Sequence, residues 1–166
     1  MIRKIEDFVK LWEYETESTL KLFNCITDEN LNKEVKGYER TLGLLAWHII
    51  LSNVEMGNNT GLNIEGPKPD TDPPNKVSEI IENFKKTSES LLNEVKSKWN
   101  DDSLLEKKDM YGEIWENGVT LHIIISHLTH HRAQMTVLMR ILGLPVVGVY
   151  GPSKEEWKNF GMEPQK

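Results

Sequence analysis

The stretch "NGVTLHIIISHLTHHRAQMTVLMRILGLP", residues 117–145, decides the fold. It is an apolar run in which three of its four histidines, His127, His130 and His131, fall within five positions. Asn117 is a residue type that caps helix starts, and Gly143 followed by Pro145 is the usual way a helix stops. The reading is one helix over about 118–142, whose longest apolar stretch, Val119–Ile125, is too short to span a bilayer.

Working outward, three more helices follow from the same periodicity. Ile5, Phe8, Val9, Leu11, Trp12, Leu20 and Phe23 recur at three-to-four spacing and predict a long first helix. "TDEN" at 27–30 reads as a turn or the cap of a short helical segment. Thr41 can cap a second helix over roughly 42–57, with Leu44, Leu45, Ile49 and Leu51 among its apolar residues. A third runs from about Lys76 to Trp99, with Val77, Ile80, Ile81, Phe84, Leu91, Leu92 and Val95 on one side. Between the second and third, from Gly57 to Pro74, lie four of the seven prolines, so this is a long loop of the kind that is functional or mobile. Residues 100–116 lose the helical period and could hold a turn or a short strand pair. "SKEE" at 153–156 has the form of a capping box opening a short terminal helix with Trp157 and Phe160. Four long amphipathic helices in one chain predict an all-α four-helix bundle of the up-down type, with long loops, as a single domain over residues 1–166.

Bulk properties narrow the function. A chain of 166 residues buries roughly 70% of its unfolded surface, enough for a core. With 26 acidic against 20 basic residues the net charge is −6, which argues against nucleic acid as a partner, since that affinity rests on clustered Lys and Arg. The densest basic stretch, Lys33, Lys36 and Arg40, is interleaved with Glu34 and Glu39 and reads as a solvated helix flank. A single cysteine, Cys25, allows no internal disulfide and no cysteine-rich zinc site. Glu6 and Asp7 interrupt the start before a signal peptide could form, and no apolar run reaches the roughly 20 residues of a membrane helix. A cytoplasmic protein with no membrane partner is the expectation.

Residues four apart on a helix differ by about 40° and rise about 6 Å, so His127 and His131 share a face and can converge on one ion. His130 lies about 60° from His127 and could replace His131 as its partner, which spacing alone leaves open. His122 is more than about 130° round the helix from His127 and belongs to the surface or the edge of the core. Two imidazoles make a weak site. The one histidine on another helix is His48, in "LGLLAWHIIL", where a polar ring on an apolar face must be hydrogen-bonded or bound to something. A core histidine satisfied locally and a third metal ligand are both open for it.

"LAWHII" on the second helix, "HLTHHRAQ" on the fourth and "VYGPSKEEW" near the end resemble the DinB-like proteins, also known as YfiT-like metal-dependent hydrolases. The resemblance spans essentially the whole chain in order and spacing. Ala133 is a departure, standing where members frequently carry glycine. The family implies a four-helix bundle that often dimerises, and a divalent ion, zinc or nickel foremost, held by His48, His127 and His131 with His130 outside. Three neutral ligands leave coordination positions open, as catalytic sites do, so a bound ion could acidify a water for hydrolysis or a thiol for transfer. The family implies the thiol, with a low-molecular-weight cofactor such as bacillithiol as co-substrate and a small molecule as acceptor.

Supporting roles are weaker. Gln134, one heptad after His127, could bind substrate or the second ring nitrogen of a ligand, and Glu55, seven residues after His48, could line the cavity. Arg132 could contact an anionic substrate or form an interhelical salt bridge. Tyr111, Trp115 and Tyr150 stand near loops that could roof the opening, and Trp47 is read as core. Cys25 has no basic neighbour and is a poor nucleophile. The competing expectation is a non-catalytic, stress-related metal-binding or dimeric scaffold protein; action on DNA, suggested only by the family name, is opposed by the acidic charge.

Overall fold

The computed structural model describes residues 2–164. Four long helices carry the molecule: α1 (Ile5–Phe23), α3 (Leu42–Asn59), α4 (Val77–Lys98) and α5 (Asn117–Ile141), with a one-turn α2 (Asp28–Leu31) between the first two. A hairpin of β1 (Lys107–Met110) and β2 (Glu113–Glu116) precedes α5. The expected four-helix bundle is therefore present, and the short strand pair falls inside 100–116.

Side chains from all four helices fill one core. Phe23 of α1 meets Phe84 of α4 edge-on at 5.2 Å, and Phe8 stacks on Trp12 at 5.8 Å. The buried Trp12 indole also donates to the Ser88 carbonyl at 3.0 Å, tying α1 to α4. Leu11 and Leu44, which fit the apolar periodicity, instead face solvent.

Two helix starts are capped from far away in sequence and one locally. Thr41 caps α3 through the Leu44 N–H, as its position predicts. The α1 start is capped by Asp101, which accepts from the Ile5 N–H at 2.8 Å, and α4 by Asp28, which accepts from the Val77 N–H at 2.8 Å. Asn117 is not a cap: α5 begins on it, and its buried amide donates to the Ser103 carbonyl at 2.9 Å. Gly143, at φ 75°, ends the helix as expected. After Ser153 the chain makes turns and a single 3-10 turn over Trp157–Phe160, so only half of the capping box forms: Glu156 accepts from the Ser153 N–H at 2.9 Å and also from Gly148.

These contacts also fix helix direction. The starts of α3 and α4 both lie beside α2, through Gly43 against Leu31 and through the Asn32–Asn75 and Asp28–Lys76 contacts. The starts of α1 and α5 lie together at the other end, where Ile2 and Leu104 pack on Gly118. The helices thus run up, down, down, up, where the expected up-down type would alternate throughout. Two consecutive parallel helices need a return connection as long as the helix, and this is what the proline-rich segment supplies. It is pinned along α4, with Asn63 N–H on Glu94 and Glu65 N–H on Ser90, and to α3 by the Trp47 indole on the Thr71 carbonyl at 2.7 Å.

Candidate metal centre

α3 and α5 pack against each other in opposite directions, so mid-helix residues of one meet mid-helix residues of the other. There the rings of His48, His127 and His131 gather, with centroids 5.0 Å (48–127), 4.5 Å (48–131) and 4.4 Å (127–131) apart. One nitrogen from each lies within 4.8 Å of the others. The Nε2 atoms of His127 and His131 face each other at 3.1 Å. An ion bound at 2.0–2.1 Å needs donors roughly 3–4 Å apart, so the cluster is within a small ring rotation of a shared cation. His131 is buried and the other two are half-buried.

Burial is the main force on all three rings. It lowers the His48 and His127 pKa values to about 4, helped by the positive charge that His131 and Arg40 would present. It lowers His131 as well, against an opposing bond from Gln134. At neutral pH all three are uncharged, the form that ligates metal. The Gln134 amide is bonded on both sides: its Oε1 lies 2.8 Å from His131 Nδ1, and its Nε2 lies 3.2 Å from His130 Nε2. With Nδ1–H given to Gln134, His131 turns a lone pair inward on Nε2. His127 Nδ1 is buried without a partner, so packing holds that ring. The residues present fit a divalent ion.

The DinB family model matches residues 1–166. This chain belongs to the DinB family. Like it is the uncharacterized protein YrdA of Bacillus subtilis (strain 168), 39% identical over 166 residues, covering 100% of this chain and 99% of that one. A crystal structure of a DinB-like protein from Bacillus cereus ATCC 10987 superposes with a TM-score of 0.86 at 39% identity, covering 90% of this chain and all of that one. A second, a DinB-like protein (YjoA) from Bacillus subtilis, shares the fold at TM-score 0.69 and 16% identity over 89% of this chain and 99% of its own.

The DinB fold brings some predicted residues to the cluster and takes others away. Of the two i,i+3 and i,i+4 alternatives, it gathers His131; His130 stays exposed at the rim, reaching the centre only through Gln134. His122 is exposed. Glu55 lies outside the gathered set; burial first, and then the Glu55 charge, raise the Tyr111 pKa. Tyr111 sits at the hairpin tip with its ring edge-on to Trp115 at 6.2 Å. Tyr150 and Arg132 are drawn to the opposite side of α5. Arg132, 3% exposed, contacts no solvent-borne anion; its Nη2 pairs with Glu15 at 2.7 Å, and Glu15 is 1% exposed. Tyr150 donates to the same carboxylate at 2.6 Å. Cys25 is half-buried, and burial followed by the charges of Glu155 and Glu156 raises its thiol pKa, which keeps it out of nucleophilic chemistry. The residue sequence reading missed is Arg40. It lies not on a helix but in the exposed segment before Thr41, and its charge is the last of the influences that lower the three rings' pKa values, well behind burial.

Proposed function

We propose that this DinB-family protein is a divalent-metal-dependent enzyme acting on a small molecule through an open three-histidine centre, transferring a low-molecular-weight thiol to an electrophile. His48, His127 and His131 are the ligands. The observation that carries this reading is the convergence of three uncharged, inward-turned imidazoles from two helices, with no carboxylate or thiolate completing the set among the described residues. A closed structural site uses four protein ligands; three leave room for substrate. A zinc or nickel ion held there lowers the pKa of a thiol or water that binds it, supplying a nucleophile at neutral pH. The chain's part is positional. Gln134 fixes the inward lone pair of His131, burial keeps the rings unprotonated, and Trp47, bonded to the Thr71 carbonyl, seats α3 beside His48.

The test is to strip the protein with a chelator, restore zinc or nickel, and follow a bacillithiol-type thiol with a chloro-aromatic acceptor. The expected result is thioether formation that disappears on chelation, returns with metal and is absent in His48→Ala. Metal-restored protein that forms no thioether and hydrolyses nothing, while chelation only lowers its melting temperature, would show a structural ion instead.

A further inference from the structure

Of the three histidines at 127–131, His130 alone stays out of the gathered set, and it stands exposed at the rim. Its ring still has a fixed polar partner, because its Nε2 lies 3.2 Å from the Gln134 amide nitrogen. Three contacts in a row thus lead outward from the centre: His127 Nε2 to His131 Nε2 at 3.1 Å, His131 Nδ1 to Gln134 Oε1 at 2.8 Å, and Gln134 Nε2 to His130 Nε2. Each contact holds a single proton, so the protons along the chain must all point the same way. An amide nitrogen only donates and an amide oxygen only accepts. Gln134 therefore obliges His131 to carry its proton on Nδ1 and His130 to accept on Nε2. Turning the amide over would reverse every link. His131 would then hold its proton on Nε2, and His127 would have to hold one on Nδ1, which is buried without an acceptor.

Gln134 is exposed, and a solvated glutamine has rotamer freedom enough to turn over or leave a single bond unmade. A partner at each end of the amide removes that freedom. We propose that His130, which gives no nitrogen to the gathered set, is a positioning residue of the centre: by accepting from Gln134 it holds the amide oxygen toward His131 and so keeps the His131 lone pair inward. This rests on the reading of the three histidines as a metal centre.

The His130 ring also packs edge-on against His131, with centroids 4.9 Å apart, so the test separates the acceptor from the ring. His130→Phe keeps a ring and loses the acceptor. His130→Gln loses the ring and keeps a carbonyl that can accept from Gln134 one turn away. In metal-free, full-length protein carrying isotope-labelled histidine, heteronuclear NMR shows which ring nitrogen bears the proton. Wild type and His130→Gln are expected to hold His131 in the Nδ1–H form, and His130→Phe to show both forms. Zinc affinity, measured by competition with a chromophoric chelator, should fall about 3–10-fold in His130→Phe, the net worth of one hydrogen bond, and stay near the wild-type value in His130→Gln. A single Nδ1–H form with unchanged affinity in His130→Phe overturns the assignment and leaves the metal centre standing. An equal loss in both variants also overturns it, tracing the effect to ring packing. A wild type that takes up no zinc overturns the metal reading, and the role assigned to His130 with it.

Discussion

Consecutive residues of α5, His131 and Arg132, belong to two polar clusters on different sides of one helix, and the two clusters are built in opposite ways. Around Arg132 every charge is answered within the chain. Its guanidinium pairs with Glu15, donates to Thr19 Oγ1 at 3.1 Å and to the Tyr150 hydroxyl at 3.1 Å, and Tyr150 passes its own proton toward Glu15 at 2.6 Å. Around His131 the nitrogens face one another with lone pairs to spare, and among the described residues no carboxylate joins the gathered set. A buried polar cluster that is complete holds elements together; one that is incomplete holds a place for something else. Here the closed cluster joins α1, α5 and the C-terminal segment, and so fixes the helix from which the open one hangs.

The largest effect is expected from opening the closed cluster. Arg132→Ala leaves the Glu15 carboxylate buried without its cation and should cost about 3–5 kcal/mol, a melting temperature lower by roughly 6–20 °C. Metal uptake per folded chain should persist at low temperature. A thermal melt beside a metal titration checks both, and a variant that melts like wild type would show that the pair is not structural.

Next comes the bond that orients the open cluster. Gln134→Ala frees His131 Nδ1 and should weaken metal binding about 10–100-fold. As Gln134 is exposed, the melting temperature of the metal-free protein should barely move. Competition with a chromophoric chelator measures the affinity; a value equal to wild type would remove Gln134 from the centre.

A smaller effect is expected from pH. In metal-free protein the folded-state pKa values of His48 and His127, about 4, lie below the ordinary 6.5, so between these values the unfolded chain binds more protons. Their contribution to stability is complete above pH 6.5 and is lost as pH falls through about 4. Denaturant midpoints at pH 7.5 and pH 5 should differ, and His127→Ala should narrow the difference. A pH-independent midpoint in the wild type would mean that the rings are not desolvated.

The sequence showed the open cluster better than the closed one, for a physical reason. The pair at 127 and 131 is local, set by helical pitch, and visible in one quoted segment. His48 stayed open between a locally satisfied core residue and a third ligand until the resemblance to DinB-like proteins implied the latter, because the packing of α3 on α5 leaves no trace in either helix alone. The closed cluster depends on contacts across 117 residues from Arg132 to Glu15 and 135 from Tyr150 to Glu15, which no periodicity encodes. Asp101 capping α1 and Asp28 capping α4 escaped for the same reason, while Thr41, capping its own helix, did not. Arg40 was discounted because its sequence neighbours are acidic.

Metal content per chain, measured on protein loaded with zinc and then desalted, tests the assignment of the three imidazoles. One ion per chain is expected in the wild type and in His122→Ala, and close to none in His48→Ala or His131→Ala, with all four proteins equally folded. Equal metal in the wild type and His48→Ala would contradict it, because an ion that stays without the α3 imidazole was never held between the two helices.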